Sequence, residues 1–233
     1  MSAPFYVSSS KGSDSNSGTI PSLPWRSLSR AFSASLTPGD AILLRQGDTW
    51  TLTLPFNVSG VLGSGDAPIV LSAYVDATSS VNRPVIARST QGEQTGILFN
   101  FHNSGGLSVM GIEFIGAEVG LGFTFDASSN PPPALGYNNY TIEDCFFHSQ
   151  KGAFYNASTG SWWGSAIAFA REGTTGVTAS SVRVAHCLFT GCDQAYTNNL
   201  PQPTFPSQSW TRTFINGLDV STSSCNGRAT VVG

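Results

Sequence analysis

Charge is scarce in this chain: 11% of its 233 residues carry it, as 11 Lys and Arg against 14 Asp and Glu, for a net charge of -3. With no basic field, nothing invites nucleic acid or an anionic membrane, and neither is expected as a partner. Long apolar runs are missing as well. Stretches such as Ala41-Ile-Leu-Leu44 fall far short of the about 20 residues that a bilayer-spanning helix needs, so no membrane span is expected. Cysteine is limited to Cys145, Cys187, Cys192 and Cys225, without a Cys-x-x-Cys pair, and the three histidines are scattered, so no zinc site is spelled out. The N-terminus lacks a basic and apolar leader, since Met1-Ser-Ala-Pro4 runs directly into Phe5-Tyr-Val7. The chain is expected to be a mature or truncated form of a secreted or cell-surface protein.

What is present is turn chemistry and a moderate apolar content. The 25 Gly and 13 Pro, with abundant Ser and Thr, interrupt nearly every stretch and argue against long helices. The 40% hydrophobic fraction still suffices for a core. Residues 1–40 read as a closing element of strand, loop and helix. Trp25, Leu28, Phe32 and Leu36 form one helical stripe, with Pro24 in the first turn, Ser22 as its cap, and Pro38-Gly-Asp40 as its stop. Residues 41–233 read as one run of short strands, among them Ala41–Arg45, Leu52–Leu54, Ile69–Ala73, Val85–Ala87 and Ile97–Phe101. The Pro-rich stretches Ala127–Gly136 and Asn198–Pro206 are expected to leave the stack as side loops.

A repeat organises the middle of the chain. Val109-Met-Gly-Ile112-Glu-Phe114, Ile142-Glu-Asp-Cys145-Phe-Phe147 and Val184-Ala-His-Cys187-Leu-Phe189 align without gaps. They predict three inward ladders: Val109, Ile142 and Val184; Ile112, Cys145 and Cys187; Phe114, Phe147 and Phe189. The intervals of 33 and 42 residues differ while the register holds, which suits a solenoid whose loops absorb insertions.

Four N-terminal segments carry a family resemblance: Phe-Tyr-Val-Ser-Ser-Ser, Gly-Ser-Asp-Ser-Asn-Ser-Gly-Thr, Pro-Trp-Arg-Ser-Leu-Ser-Arg-Ala-Phe and Pro-Gly-Asp-Ala-Ile-Leu-Leu-Arg-Gln-Gly-Asp-Thr. Together they resemble the N-terminal cap of right-handed parallel β-helix proteins of the pectate-lyase-like superfamily. The resemblance covers residues 4–53 closely and 97–193 by repeat pattern. It implies an all-β, right-handed parallel β-helix with a short capping α-helix, and a scaffold that hosts polysaccharide lyases, glycoside hydrolases and adhesins alike. A lyase on this scaffold would hold a calcium ion against an acidic sugar and use a Lys or Arg as base.

The same register, extended by six residues past the second ladder, places Glu118, Lys151 and Asp193 in one column, about 4.8 Å apart from coil to coil. A lysine between two carboxylates is either a lyase-like centre or an outward ion-pair ladder. The column before the second ladder holds Gly111, Asp144 and His186, an acid/base pair or an outward hydrogen bond. Glu143 adjoins Asp144, but neighbours on a strand face opposite ways unless a bend intervenes. Asp14-Ser-Asn16 reads as turn chemistry, not a calcium loop. Tyr155, Trp162, Trp163 and Trp210 offer flat rings for a glycan. Asn57, Asn139 and Asn156 head glycosylation sequons. Cys145 and Cys187 stack within disulfide range, or remain two buried thiols.

Two functions follow. One is an extracellular polysaccharide lyase or hydrolase acting on an acidic polysaccharide, with a cell-wall glycan as partner. The other is a non-catalytic cell-surface, adhesive or structural β-helix module. The uncharged end Val231-Val-Gly233 leads us to expect a longer β-helix, or a stacking partner on the open last coil.

Overall fold

The computed structural model describes residues 3–89, 96–126, 137–149, 165–172, 179–190, 194–198, 208–211 and 214–216. Three parallel sheets make up nearly all of it. Sheet A contains β1 (Pro4–Val7), β2 (Ala41–Arg45), β5 (Ile69–Tyr74), β8 (Leu107–Met110), β11 (Tyr137–Glu143), β14 (Ala179–Ala185) and β17 (Gln208–Thr211). Sheet B contains β3 (Thr49–Leu52), β6 (Val85–Arg88), β9 (Glu113–Ile115), β12 (Phe146–His148), β15 (Leu188–Thr190) and β18 (Phe214–Asn216). Sheet C contains β4 (Phe56–Ser59), β7 (Ile97–His102), β10 (Val119–Asp126), β13 (Ser165–Glu172) and β16 (Gln194–Asn198). From β2 onward the chain visits A, B and C in turn, and from β5 each strand pairs with its counterpart one coil earlier. That is a parallel β-helix.

The predicted ladders set its core. Ile142 pairs with Val109 and Val184, and Phe147 with Phe114 and Phe189. The three phenylalanines stack face to face at 5.0 and 5.3 Å between ring centroids, within 10° of parallel. Each is fully buried. Such ring pairs stabilise by about 0.5–1.5 kcal/mol beyond their area burial. Ile112, Cys145 and Cys187 point inward between these ladders. Both cysteines are free thiols here rather than a disulfide. Their S–H groups donate to carbonyls of the preceding coil, Cys145 to Val109 and Cys187 to Ile142. The bond to Cys145 and then burial push the Cys187 thiol far above the ordinary thiol range.

The single helix among the described residues, α1 (Leu28–Phe32), is shorter than the apolar stripe suggests. Its N-cap is Ser27, whose hydroxyl accepts from the Arg30 N–H, and not Ser22. Pro24 and Trp25 precede the helix in an extended segment, where Trp25 bridges to Val7. The reason is local: Asp14 accepts from the Arg26 and Ser27 N–H groups and holds the chain extended up to the cap. Asp14 therefore serves turn chemistry, as read. Phe32 packs on Phe56, Phe99 and Phe101 of sheet C. The strand expected at Leu52–Leu54 starts three residues earlier and ends two earlier, at Thr49–Leu52, because Trp50 is its inward residue.

A polar knot ties β1, β2 and the loop after β5 together. Asp48 accepts from the Ser8 and Ser10 hydroxyls at 2.6 Å each, and from Arg45 at 3.1 Å. Arg45 also grips Asp76 through Nε and Nη2 at 2.8 and 3.1 Å. Burial opposes the charge on Asp48, but these donors outweigh it and hold its pKa below the ordinary carboxylate value.

Candidate active site

The corner between sheets A and B repeats one backbone device. Gly111, Asp144 and His186 occupy equivalent positions in successive coils, with φ of 69°, 52° and 54°. The Gly111 N–H donates to the Glu143 carbonyl and the Asp144 N–H to the Ala185 carbonyl, so hydrogen bonding between coils continues around the bend. A left-handed residue breaks the two-residue alternation of a strand. Glu143, the last residue of β11, and Asp144 consequently both reach the same histidine.

His186 Nδ1 lies 3.2 Å from Glu143 Oε1 and 3.8 Å from Asp144 Oδ1. Arg183 of β14 clasps Glu143 from the other side, with Nη1 2.6 Å from Oε2 and Nη2 3.4 Å from Oε1. That bond, reinforced by the nearby His186, holds the Glu143 carboxyl below its ordinary pKa and keeps it ionised. Exposure grades across the cluster: the side chains of Glu143, His186 and Asp144 are 24%, 38% and 60% accessible. Arg83 donates through Nε to the Asp144 carbonyl at 3.0 Å and braces the bend from two coils below.

Chemically, the corner presents one locked carboxylate, one freer carboxylate and an imidazole between them. Donor atoms of the three lie within 4.8 Å of one another, close enough to share a cation. Arg183 already engages both oxygens of Glu143, an arrangement that also suits proton transfer and charge stabilisation. A second histidine–carboxylate contact, His148 Nε2 to Glu113 Oε1 at 2.7 Å, lies on sheet B, where the imidazole also leans on Phe146.

Of the residues singled out from the sequence, the structure brings Asp144 and His186 together as aligned. It adds Glu143, Arg183 and Arg83. Glu143 was discounted on strand alternation; Gly111 in the same column was the signal that a bend intervenes there. Glu118 has its carboxylate on the Gly96 N–H at 3.1 Å. Lys151 and Asp193, its column partners, lie outside the described residues. So do Tyr155, Trp162, Trp163, Asn156, Cys192 and Cys225, and the last residues 217–233. Trp210 pairs with Val184 through its backbone in β17. Asn57 and Asn139 are both exposed; the Asn57 Oδ1 accepts from Asn100, and Asn139 has a φ of 63°.

Comparison with known proteins gives two findings. The chain is 40% identical over 85 residues to a lacto-N-biosidase of Bifidobacterium longum subsp. longum. The GH136 lacto-N-biosidase of Eubacterium ramulus superposes on 91% of this chain with a TM-score of 0.64, at 19% identity, and its native form on 93% at 0.62. These solved structures establish the fold: a parallel β-helix shared along almost the whole chain. The matched stretch is 36% of this chain and 5% of the Bifidobacterium protein, and the superposition spans 40% of the Eubacterium one. No family profile matches the chain.

Proposed function

We propose that the chain is part of the β-helix of an extracellular glycoside hydrolase that cleaves a lacto-N-bioside or a glycan of that kind. The observation that carries this reading is the 40% identity over 85 residues to a lacto-N-biosidase, on a scaffold whose solved lacto-N-biosidase counterparts superpose along nearly its full length. In this reading the fold falls within the wider group of pectate-lyase-like β-helices, and the chemistry is hydrolysis rather than elimination.

The Glu143–Asp144–His186 corner supplies groups for it. Hydrolysis of a glycosidic bond needs a pair of carboxyl groups, about 5–5.5 Å apart when configuration is retained and about 6.5–9.5 Å when a water must fit between them. Glu143 and Asp144 present oxygens within 4.8 Å, which favours retention. Glu143, held ionised by Arg183, is the group that stabilises or traps the oxocarbenium-like sugar. Asp144, the most exposed of the three, exchanges protons with the leaving oxygen, with His186 beside both.

The test is release of the disaccharide from p-nitrophenyl lacto-N-bioside by the full chain, with the anomer of the first product read by NMR. Liberated disaccharide of retained configuration is expected, and Asp144→Asn is expected to lower the rate by about 100-fold or more. Unsaturated product from an acidic polysaccharide would instead place the chemistry with Lys151 and a lyase. An inverted product would remove Glu143 and Asp144 from their roles.

A further inference from the structure

A second feature lies away from that corner, at the N-terminal end of the stack. Between the start of α1 and strands β3 and β4 opens a cleft of about 340 Å³. Its apolar floor is formed by Leu28, Trp50, Leu52 and Phe56, and its rim by Ser9, Arg26, Ser29, Thr49 and Thr51. The volume is that of a small-ligand site, and an apolar floor under a few polar groups is the usual make-up of one.

The rim is chemically unspent. Arg26 uses Nε on the Gly12 carbonyl at 3.0 Å, and its two terminal nitrogens have no partner among the described residues. The hydroxyls of Ser9, Ser29, Thr49 and Thr51 are likewise without a hydrogen-bond partner there. This contrasts with the adjacent Ser8, Ser10 and Ser27, whose hydroxyls are committed to Asp48 and Arg30. None of the lining side chains is acidic, so the single cation is uncompensated within the cleft. Trp50 lies below the surface with its indole N–H on the Arg26 carbonyl at 3.1 Å, which fixes the backbone that carries the guanidinium.

We infer that this cleft binds a pyranose bearing a carboxylate, of the uronic acid type. The ring's apolar face would lie on Leu52 and Phe56. Its hydroxyls would meet Ser29, Thr49 and Thr51, and its carboxylate the free end of Arg26 in the fork geometry that guanidinium favours. The site goes beyond the hydrolase reading, because none of Glu143, Asp144, His186 and Arg183 lines it. It would anchor an acidic glycan while the corner acts elsewhere.

Calorimetric titration of the full chain with methyl β-D-glucuronide and methyl β-D-glucoside tests this, with the Trp50 indole N–H followed by NMR. The glucuronide is expected to bind saturably and at least about 10-fold more tightly than the glucoside, a difference of about 1.4 kcal/mol. Arg26→Gln should erase that preference. Thr51→Tyr, at an exposed strand position that tolerates a large ring, should fill the cleft and abolish binding of both sugars. Hydrolysis of the lacto-N-bioside should be unchanged in both variants, which separates failure here from failure of the hydrolase reading. Absence of saturable binding, equal affinity for the two sugars, or binding that survives Thr51→Tyr would overturn the inference.

Discussion

Asp144 and His186 sit where their side chains cost backbone energy. Left-handed φ is nearly free for glycine and costs most other residues roughly 1–2 kcal/mol, and the preceding coil solves the same corner with Gly111. Two consecutive coils thus carry a carboxylate and an imidazole at a position where glycine fits at least as well, Asp and His being, with Asn, the side chains that enter this region most readily. The stability of variants follows from this. His186→Gly should leave the urea midpoint nearly unchanged, within about 0.5 kcal/mol, because relief of backbone strain offsets the lost contact with Glu143 and the added chain entropy. His186→Val should cost about 1–2 kcal/mol, since a β-branched residue fits that φ worst. Equal effects of the two substitutions would contradict a strained corner.

Asp48, Asp76 and Glu143 all have pKa values held below the ordinary carboxylate range, Asp76 and Glu143 chiefly by arginine hydrogen bonds and Asp48 by Ser10, Ser8 and Arg45 against the cost of burial. A carboxyl with a lowered folded pKa binds fewer protons folded than unfolded. Its stabilisation is therefore complete above the unfolded value near 4 and is lost as pH falls toward the folded one. Urea unfolding from pH 7 down to 3 should show a flat midpoint followed by a steep fall. Asp48→Ala, which leaves the Ser8 and Ser10 hydroxyls without their acceptor while Arg45 keeps Asp76, should cost about 1–3 kcal/mol at neutral pH and flatten the acid limb. A stability that rises on acidification would contradict carboxyl groups held ionised in the folded chain.

At the scale of elements, the inward ladders do the stabilising. Phe147 is clasped between Phe114 and Phe189, one on each side along the stack. Phe147→Ala should destabilise by about 3–5 kcal/mol, more than the same change in a strand at the end of a sheet, because neither neighbouring coil can close the gap alone. Cys145 and Cys187 occupy the adjacent inward ladder, fully buried. Peptide mapping after brief alkylation should find both unmodified in the native protein and both labelled in denaturant. Modification before unfolding would mean that this ladder opens.

These ladders were legible in the sequence because inward positions of a parallel stack repeat side-chain type: Val, Ile, Val; Ile, Cys, Cys; Phe, Phe, Phe. The corner was only half legible. Aligning the repeats placed Asp144 over His186, yet the alternation rule set Glu143 on the wrong face, since φ at Asp144 is not written in an Asp codon as it is in a glycine. Arg183 was missed because its reach to Glu143 runs diagonally between coils, from a position in line with Thr141. The helix was over-extended for the opposite reason: the stripe Trp25–Leu36 has the right period, but Asp14, twelve residues away, captures Arg26 and Ser27 and delays the start.

At the scale of the molecule, a parallel β-helix offers long faces and repeated corners on which sites can be placed independently. This chain carries two such places, a carboxylate–imidazole corner at the coils of β11 and β14 and a cationic, hydroxyl-rimmed cleft beside β3. Among the described residues no helix is long and apolar enough to cross a membrane.

The role proposed for the corner in glycoside hydrolysis is tested by comparing the full chain with its Asp144→Asn variant on p-nitrophenyl lacto-N-bioside. Disaccharide release by the unaltered chain is expected, with first-formed product of retained configuration, and a loss of about 100-fold or more in the variant. Release at an undiminished rate by Asp144→Asn, or none from the unaltered chain, would contradict that role.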